Sequence, residues 1–169
     1  NYNSINKDNT SISFKVFLKD PKGSVVLEEL FDEKCVFGKN LISRKFKLKD
    51  LLLWDCENPN IYSAQIQAYK GNTLIDNKLL SIGFKEFTYK NGFFFLNGEK
   101  IFVKGGFWEG VYSKHQSYPD NAEEVRHEIE LAKKAGFNLL RPWRRPVPPI
   151  ILDEADKAGL LIIGSPAVE

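Results

Sequence analysis

Residues 93–104 read FFFLNGEKIFVK, two apolar runs joined by Asn97-Gly98. An Asn-Gly pair in this setting predicts a tight β-hairpin, because both residues tolerate the positive φ that the turn requires. Short alternating segments precede this stretch, whereas helical periods occur only after it. We therefore predict two domains, residues 1–90 and residues 91–169.

The first domain is predicted to be all-β. Apolar and polar side chains alternate over residues 11–19, a turn follows at Asp20-Pro21-Lys22-Gly23, and the chain returns over residues 25–30, so we predict a β-hairpin here. Short strands separated by turns over such a length favour a small β-sandwich of the immunoglobulin type. Further strands are predicted at residues 41–48, 61–69 and 79–89.

The second domain is predicted to alternate strands with helices. Asp120 and Glu123 have the spacing of a helix-capping pair, and Gly136 is expected to end that helix. The apolar stripe of the helix is predicted to consist of Val125, Ile129, Leu131 and Ala132.

In the second domain, the predicted order of elements is β-α-β-α-β. It is completed by a short strand at residues 137–140, a helix from Pro148-Pro149 to Gly159, and an apolar strand at residues 160–163. We interpret this order as the first portion of a (β/α)8 TIM barrel. A closed barrel needs about 200–250 residues, so at most three of its eight strands are expected here.

The charge balance excludes several classes of partner. The 169 residues carry 24 Lys and Arg against 22 Asp and Glu, a formal net charge of +2. This argues against a nucleic-acid groove and against an electrostatic membrane anchor. No apolar run reaches the roughly 18 residues that a membrane-spanning helix needs. A hydrophobic fraction of 43% excludes a disordered chain.

Two further features concern the chemistry and the extent of the chain. Cys35 and Cys56 lie outside any Cys-x-x-Cys spacing, so we predict no zinc site or redox motif and favour two buried free thiols over a disulfide. The sequence contains no Met and ends directly after an apolar strand. We therefore expect a piece of a longer protein.

Three segments resemble one enzyme family. They are residues 53–62 (LWDCENPNIY), residues 96–105 (LNGEKIFVKG) and residues 135–141 (AGFNLLR), the last followed at the family's spacing by Pro146, Asp156 and an apolar run. The family they resemble is glycoside hydrolase family 2, which includes β-galactosidases, β-glucuronidases and β-mannosidases. The resemblance implies the middle, immunoglobulin-like domain of such an enzyme and the start of its catalytic barrel.

The resemblance also implies a reaction. The family hydrolyses O-glycosyl bonds with retention, using an acid/base and a nucleophile carboxylate about 5 to 5.5 Å apart. In the family these glutamates follow the fourth and seventh barrel strands, beyond Glu169, so we expect the chain alone to be inactive.

This sequence departs from the family pattern at two places. Pro142-Trp143-Arg144-Arg145 stand where small polar residues followed by His and Tyr are usual, and Gly164-Ser165 stand where Asp-Glu is common. The Lys-Gly-x-x-Trp arrangement at residues 104–108 is closer to the β-mannosidase and exo-glucosaminidase branch.

Arg141 is the first candidate substrate-binding residue. By resemblance it lies beneath the sugar subsite next to the nucleophile, where a guanidinium would keep that carboxylate ionised and oriented. The alternative is an arginine that pairs with a neighbouring carboxylate for stability.

Three more candidates lie at the predicted ends of the first two barrel strands. The indole faces of Trp108 and Trp143 suit the apolar side of a sugar ring as well as ordinary loop packing. Glu109 would accept hydrogen bonds from sugar hydroxyls, with a solvated loop carboxylate as the alternative. Arg144 and Arg145 would bind an acidic sugar or form a solvated basic loop.

No cofactor or metal is predicted, and no role is assigned to His115 or His127. Glu169 falls where some family members place a metal-binding carboxylate, but it lacks partner ligands.

The sequence thus predicts part of a retaining glycoside hydrolase with a carbohydrate partner, and no nucleic-acid or membrane partner. The alternative is a non-catalytic carbohydrate-binding or interaction module, since a fold alone does not fix a function. An open sheet edge and uncovered helix faces would favour self-association into a homo-oligomer.

Overall fold

The structure is a computed structural model that describes residues 2–4, 10–110, 112, 119, 121–142 and 146–164. Within these ranges the chain is mostly β with two short helices. In chain order the elements are β1 (Tyr2–Ser4), β2 (Thr10–Lys19), β3 (Val25–Cys35), β4 (Gly38–Asn40), β5 (Tyr62–Lys70), β6 (Thr73–Ile82), β7 (Phe87–Lys90), β8 (Phe93–Leu96), β9 (Glu99–Ile101), β10 (Gly105–Trp108), α1 (Ala122–Lys134), β11 (Leu139–Pro142), α2 (Pro149–Ala158) and β12 (Leu161–Ile162).

The chain divides into two compact units. The first unit runs to Leu52 and resumes over Tyr62–Ile82, and the second takes Leu53–Ile61 and continues from Gly83. Residues 53–61 and 83–90, which the predicted boundary at residue 90 places in the first domain, therefore pack within the second unit.

The first unit is built on a four-stranded antiparallel sheet in the order β3-β2-β5-β6, and β1 pairs separately with β4. The predicted hairpin of β2 and β3 is confirmed. Its turn is closed by the Asp20 carboxylate, which accepts hydrogen bonds from the backbone N–H groups of Lys22 (2.9 Å) and Ser24 (2.8 Å). Side-chain closure of this kind is why Asp is common in turns.

One face of this sheet carries the core of the first unit. The buried side chains alternate along the two central strands, as expected for a sheet with one covered face. This arrangement is consistent with an immunoglobulin-like domain. The buried residues of β2 and β5 are Ile12, Phe14, Leu18, Tyr62, Ala64 and Ala68.

The prediction of a strand at residues 41–48 is wrong, because this segment forms no ladder. Ile42, Arg44 and Phe46 instead line a groove of about 360 Å³ over the inner face of the sheet. Arg44 donates a hydrogen bond to Glu33 and lies 4.7 Å from the ring centre of Phe31. The alternating pattern therefore arises because every second side chain of this segment faces the sheet, although its backbone pairs with no strand.

The predicted strand at residues 79–89 is two strands, β6 and β7. Between them the carbonyl of Phe84 accepts the backbone N–H of Trp54 (2.8 Å). Gly83 lies directly against the indole, since a Cβ at this position would stand 3.1 Å from its Cδ1. The chain leaves the first unit at this point, which is why one ladder cannot continue.

The second unit opens with the antiparallel sheet β7-β8-β9. The predicted Asn-Gly hairpin joins β8 and β9, with φ of 55° at Asn97 and 84° at Gly98. Both positive values match the two-residue turn expected for this dipeptide. The Asn97 amide also donates to the carbonyl of Trp54 (2.9 Å), so the turn holds the 53–61 segment.

The predicted β-α-β-α-β order is confirmed as β10-α1-β11-α2-β12, with the three strands paired in parallel. A buried cluster packs the helices on the sheet, and Leu131, predicted in the stripe, is instead 51% exposed. The cluster consists of Val125, Ile129, Leu140, Ile151, Ala155 and Leu160.

The ends of α1 differ from the prediction in detail. The helix is capped by Asn121, whose side chain accepts the N–H of Glu124 (3.0 Å); the predicted cap, Asp120, is therefore wrong, and it lies outside the described residues. At the other end Gly136 has φ 87°, and the N–H of Phe137 bonds the carbonyl of Ala132 (3.0 Å). Because residue 137 is used to end the helix, β11 begins at Leu139 and not at 137.

The second helix follows its predicted bounds. Pro148 and Pro149 open α2, and Gly159 ends it in the left-handed region with φ 72°. A Cβ on Gly159 would stand 2.5 Å from the carbonyl oxygen of Cys56. Glycine is therefore required here both by the left-handed φ and by the lack of space for a side chain. This contact brings the 53–61 segment against the start of β12.

The 53–61 segment packs at the end of the sheet where the parallel strands begin, which we call the amino edge. The Trp54 side chain is fully buried and its indole N–H donates to the carbonyl of Asp156 (2.7 Å). Lys133, in the last turn of α1, donates to the carbonyls of Cys56 and Gly159. Helix ends and strand starts are thus tied to one segment.

Both cysteines are buried and free, as predicted. Burial raises the pKa of the Cys35 thiol and of the Cys56 thiol. No helix in the described ranges is long and apolar enough to cross a lipid bilayer.

Candidate functional site

The carboxyl ends of β10 and β11 form the opposite end of the sheet, which we call the carboxyl edge. The two strands pair with Phe107 opposite Arg141 and Trp108 opposite Pro142. Side chains in register on neighbouring strands project to the same face of a sheet. Arg141 therefore shares a face with Phe107, while Trp108 lies on the opposite face, where the helices pack.

Arg141 is exposed at this edge, although its strand neighbours Leu140 and Pro142 are buried. Within the described part of the chain, no carboxylate forms an ion pair or hydrogen bond with its guanidinium. The side chain thus stands on the face of the sheet opposite the helices, at the end where parallel-sheet and barrel enzymes carry their sites.

Trp108 is held from the helix side. Its indole N–H donates to Oε2 of Glu128 in α1 (3.0 Å), and its ring packs on the cluster around Val125 and Ile129. The hydroxyl of Tyr112 donates to the same oxygen (2.9 Å). One carboxylate oxygen therefore binds the last residue of β10 and a residue that follows this strand.

The hydroxyl of Tyr112 is a permanent donor. Its side chain is 4% exposed, and burial, followed by the hydrogen bond to Glu128 and the charge of that carboxylate, raises the tyrosine pKa well above its usual value. The phenol stays protonated at neutral pH and keeps its hydrogen bond.

The remaining predicted residues are exposed or lie outside the described residues. Glu109 is exposed and follows Trp108 directly, and Gly110 after it has φ 63°. His127 is exposed on α1. The sugar contacts of Arg141, Trp108 and Glu109 stay predictions. Trp143 and its predicted contact lie outside the described residues, as do Arg144, Arg145, His115 and Glu169.

Sequence reasoning missed Tyr112 and Glu128. A signal for Glu128 exists, because it stands three residues after Val125 and directly before Ile129, on the buried stripe of α1. A charged residue on the core-facing stripe of a helix needs a partner, and this pattern could have indicated one. Tyr112 has no comparable signal in the loop sequence.

Asn138 helps to fix the register between β10 and β11, and with it the position of Arg141 at the carboxyl edge. Its side-chain oxygen accepts the N–H of Lys104 (2.8 Å), and its amide donates to the carbonyl of Phe102 (2.9 Å). These bonds fix the residues before β10 against the start of β11. The register that places Arg141 opposite Phe107 follows from them.

The described part of the carboxyl edge contains no candidate metal centre. Among the residues that the structure describes, no group of three or more His, Cys, Asp or Glu side chains could hold a metal ion. The exposed side chains of Arg141 and Glu109 supply this edge with a positive charge and with a carboxylate that accepts hydrogen bonds.

Comparison with known proteins identifies the family. The family model of glycosyl hydrolases family 2 matches residues 2–85. The chain belongs to this family. A β-galactosidase of Thermoanaerobacterium thermosulfurigenes is 29% identical over 94% of this chain and 22% of its own length.

Two solved structures show the same fold. A family 2 member from Bacteroides cellulosilyticus superposes with a TM-score of 0.87 at 23% identity, covering 94% of this chain and 22% of that one. A β-glucuronidase of Bacteroides uniformis gives a TM-score of 0.82 at 21% identity, covering 95% and 20%. The chain thus spans about a fifth of the length of these relatives.

Proposed function

We propose that this chain is part of a retaining glycoside hydrolase, in which an immunoglobulin-like unit is followed by the first three strands of a (β/α)8 barrel. The observation that carries the proposal is the position of Arg141, exposed at the carboxyl end of a parallel strand in a chain of family 2. Barrel enzymes place their substrate-contacting residues at this end of their strands.

Arg141 acts on the nucleophile carboxylate supplied by a later part of the barrel. A guanidinium beside a carboxylate lowers its pKa and orients it through two parallel hydrogen bonds. Both effects keep the nucleophile charged and aimed at the anomeric carbon. The absence of a described carboxylate partner for Arg141 in residues 2–4, 10–110, 112, 119, 121–142 and 146–164 supports this role.

The rim of the sugar site is formed by side chains at the same edge. Glu109 accepts hydrogen bonds from sugar hydroxyls, and Trp143 contributes aromatic surface. Trp108, whose ring packs against the cluster beneath α1, supports this rim from the helix side of the sheet. Support comes from the positions of Glu109 and Trp108 at the end of β10.

The substrate is a carbohydrate with a terminal glycosidic bond. Relatives named β-galactosidase and β-glucuronidase support this class without selecting a sugar. These relatives also favour an enzyme over a non-catalytic binding module as the function of the protein. The chain by itself is inactive, because three strands do not close a barrel and the two catalytic glutamates of the family follow later strands.

The test compares the complete reading frame that contains this chain with the 169 residues alone. Both are assayed with the 4-nitrophenyl β-D-glycosides of galactose, glucuronic acid and mannose, and the first-formed anomer is followed by NMR. We expect the longer protein to hydrolyse at least one glycoside with retention and the chain alone to hydrolyse none. A longer protein that turns over no glycoside, or one that inverts, contradicts the proposal.

A further inference from the structure

We infer that Glu128 is a positioning residue that clamps the loop after β10 and thereby fixes the rim of the site. The link to sugar binding rests on the function proposed above. The clamp itself is a statement about three described side chains, and it can be tested without any substrate.

The geometry of the clamp is specific. Oε2 of Glu128 accepts the indole N–H of Trp108 at 3.0 Å and the hydroxyl of Tyr112 at 2.9 Å. Both lengths are those of well-formed hydrogen bonds. Glu109 and Gly110 lie between the two donors in the chain, so both ends of this short loop are attached to the middle of α1.

A carboxylate is the right group for this task. Both donors are neutral, and a charged acceptor forms a stronger bond with such a donor than an amide or a carbonyl does. Tyr112 is buried and remains protonated, so it cannot compete as a second anion. Glu128 is itself half-buried on a helix that packs on the sheet, which makes the anchor rigid.

The clamp determines where the rim stands relative to Arg141. Trp108 is opposite Pro142 in the parallel ladder, one residue beyond Arg141. Fixing Trp108 and Tyr112 therefore fixes the position of Glu109 with respect to the arginine face of the sheet. Loss of the clamp should weaken binding of the sugar more than it slows the reaction of sugar already bound.

The first test measures loop order in the 169-residue chain by ¹⁵N relaxation. In Glu128→Ala we expect the order parameters of Glu109 and Gly110 to fall from about 0.85, typical of rigid backbone, to below about 0.6. Glu128→Gln, which keeps an acceptor oxygen, should restore part of the order. Glu130→Ala, an exposed site on the same helix, is the matched control and should change nothing.

A smaller substitution tests the clamp in case Glu128→Ala fails to fold. Tyr112→Phe deletes one donor and keeps the buried ring, so it should lower the order parameters by less than Glu128→Ala does. Order parameters that stay at the wild-type value in both variants overturn the clamp.

The second test uses the longer protein and the 4-nitrophenyl glycoside that it hydrolyses. Glu128→Ala should raise KM by at least about fivefold and change kcat by less than about twofold, the pattern of lost ground-state binding. An unchanged KM overturns the role of the clamp in catalysis. If the wild-type longer protein hydrolyses no glycoside, the proposed function fails, while the relaxation experiment still decides the clamp.

Discussion

The two edges of the parallel sheet differ in what their side chains do. At the amino edge Trp54, Lys133 and Gly159 are engaged with backbone carbonyls and tight packing. At the carboxyl edge Arg141 and Glu109 are exposed and have no described partner. In α/β proteins the strand starts generally serve stability and the strand ends serve chemistry. The described residues show a matching contrast in contacts, with a tightly packed amino edge and exposed polar side chains at the carboxyl edge.

The difference implies that substitutions at the two edges should separate stability from activity. Changes at the amino edge should lower the free energy of unfolding, whereas changes at the carboxyl edge should leave it nearly unchanged.

The largest loss of stability is expected for Trp54→Ala. The substitution empties a fully buried site and removes the indole hydrogen bond to Asp156. Deletions of this kind cost about 3 to 5 kcal/mol. Trp54→Phe is the matched control and should cost less, since most of the ring volume remains. Urea denaturation measures both, and equal losses for the two variants would show that the ring volume is irrelevant.

Gly159→Ala should follow, at about 2 to 3 kcal/mol, because it combines a left-handed φ with a clash against the Cys56 carbonyl. Gly136→Ala provides the comparison. Gly136 has a similar φ of 87° but open space around it, so only the backbone cost of about 1 kcal/mol applies. If thermal denaturation gives the same loss for both variants, the 53–61 segment does not press on Gly159.

These contacts also show what a sequence can predict. The β10-α1-β11-α2-β12 order was predictable, because helical stripes and the parallel-strand run are local patterns. So was the hairpin at Asn97-Gly98. The packing of residues 53–61 with the second unit was not, since it depends on contacts about 100 positions away, such as the one between Trp54 and Asp156.

The predictions that were wrong or missing also concern contacts that local sequence patterns do not determine. Residues 41–48 alternate like a strand, but their backbone finds no neighbouring strand and only their side chains reach the sheet. For the candidate site, Arg141 was predicted from its motif, and the structure places it exposed at the carboxyl edge. Tyr112 was missed because its partner lies on α1, and no local pattern connects a loop tyrosine to a helix glutamate.

A smaller effect is expected from Glu154, which is buried between the helices. Burial alone would raise its pKa, but hydrogen bonds from Arg126 (2.8 Å) and Lys157 (2.6 Å) outweigh burial and lower the pKa below its usual value. A carboxyl with a lowered folded-state pKa stabilises the protein above its unfolded-state pKa. That stability is lost as pH falls from about 4.5 through the folded-state pKa.

The measurement is the free energy of unfolding between pH 6 and pH 3. The slope for wild type should be steeper than the slope for Glu154→Gln, whose side chain does not titrate. Glu130→Gln, at an exposed position of α1, should keep the wild-type slope. Parallel curves for wild type and Glu154→Gln would show that the carboxylate is not stabilised by its two cations.

The central claim is that the carboxyl edge carries chemistry, and Arg141→Ala in the longer protein tests it most directly. We predict that kcat/KM for the hydrolysed 4-nitrophenyl glycoside falls by at least about 100-fold, as expected when a preorganised charged donor is removed. The free energy of unfolding should change by less than about 0.5 kcal/mol, as for an exposed side chain. Retained activity, or a loss of activity that only follows a loss of stability, would contradict the account.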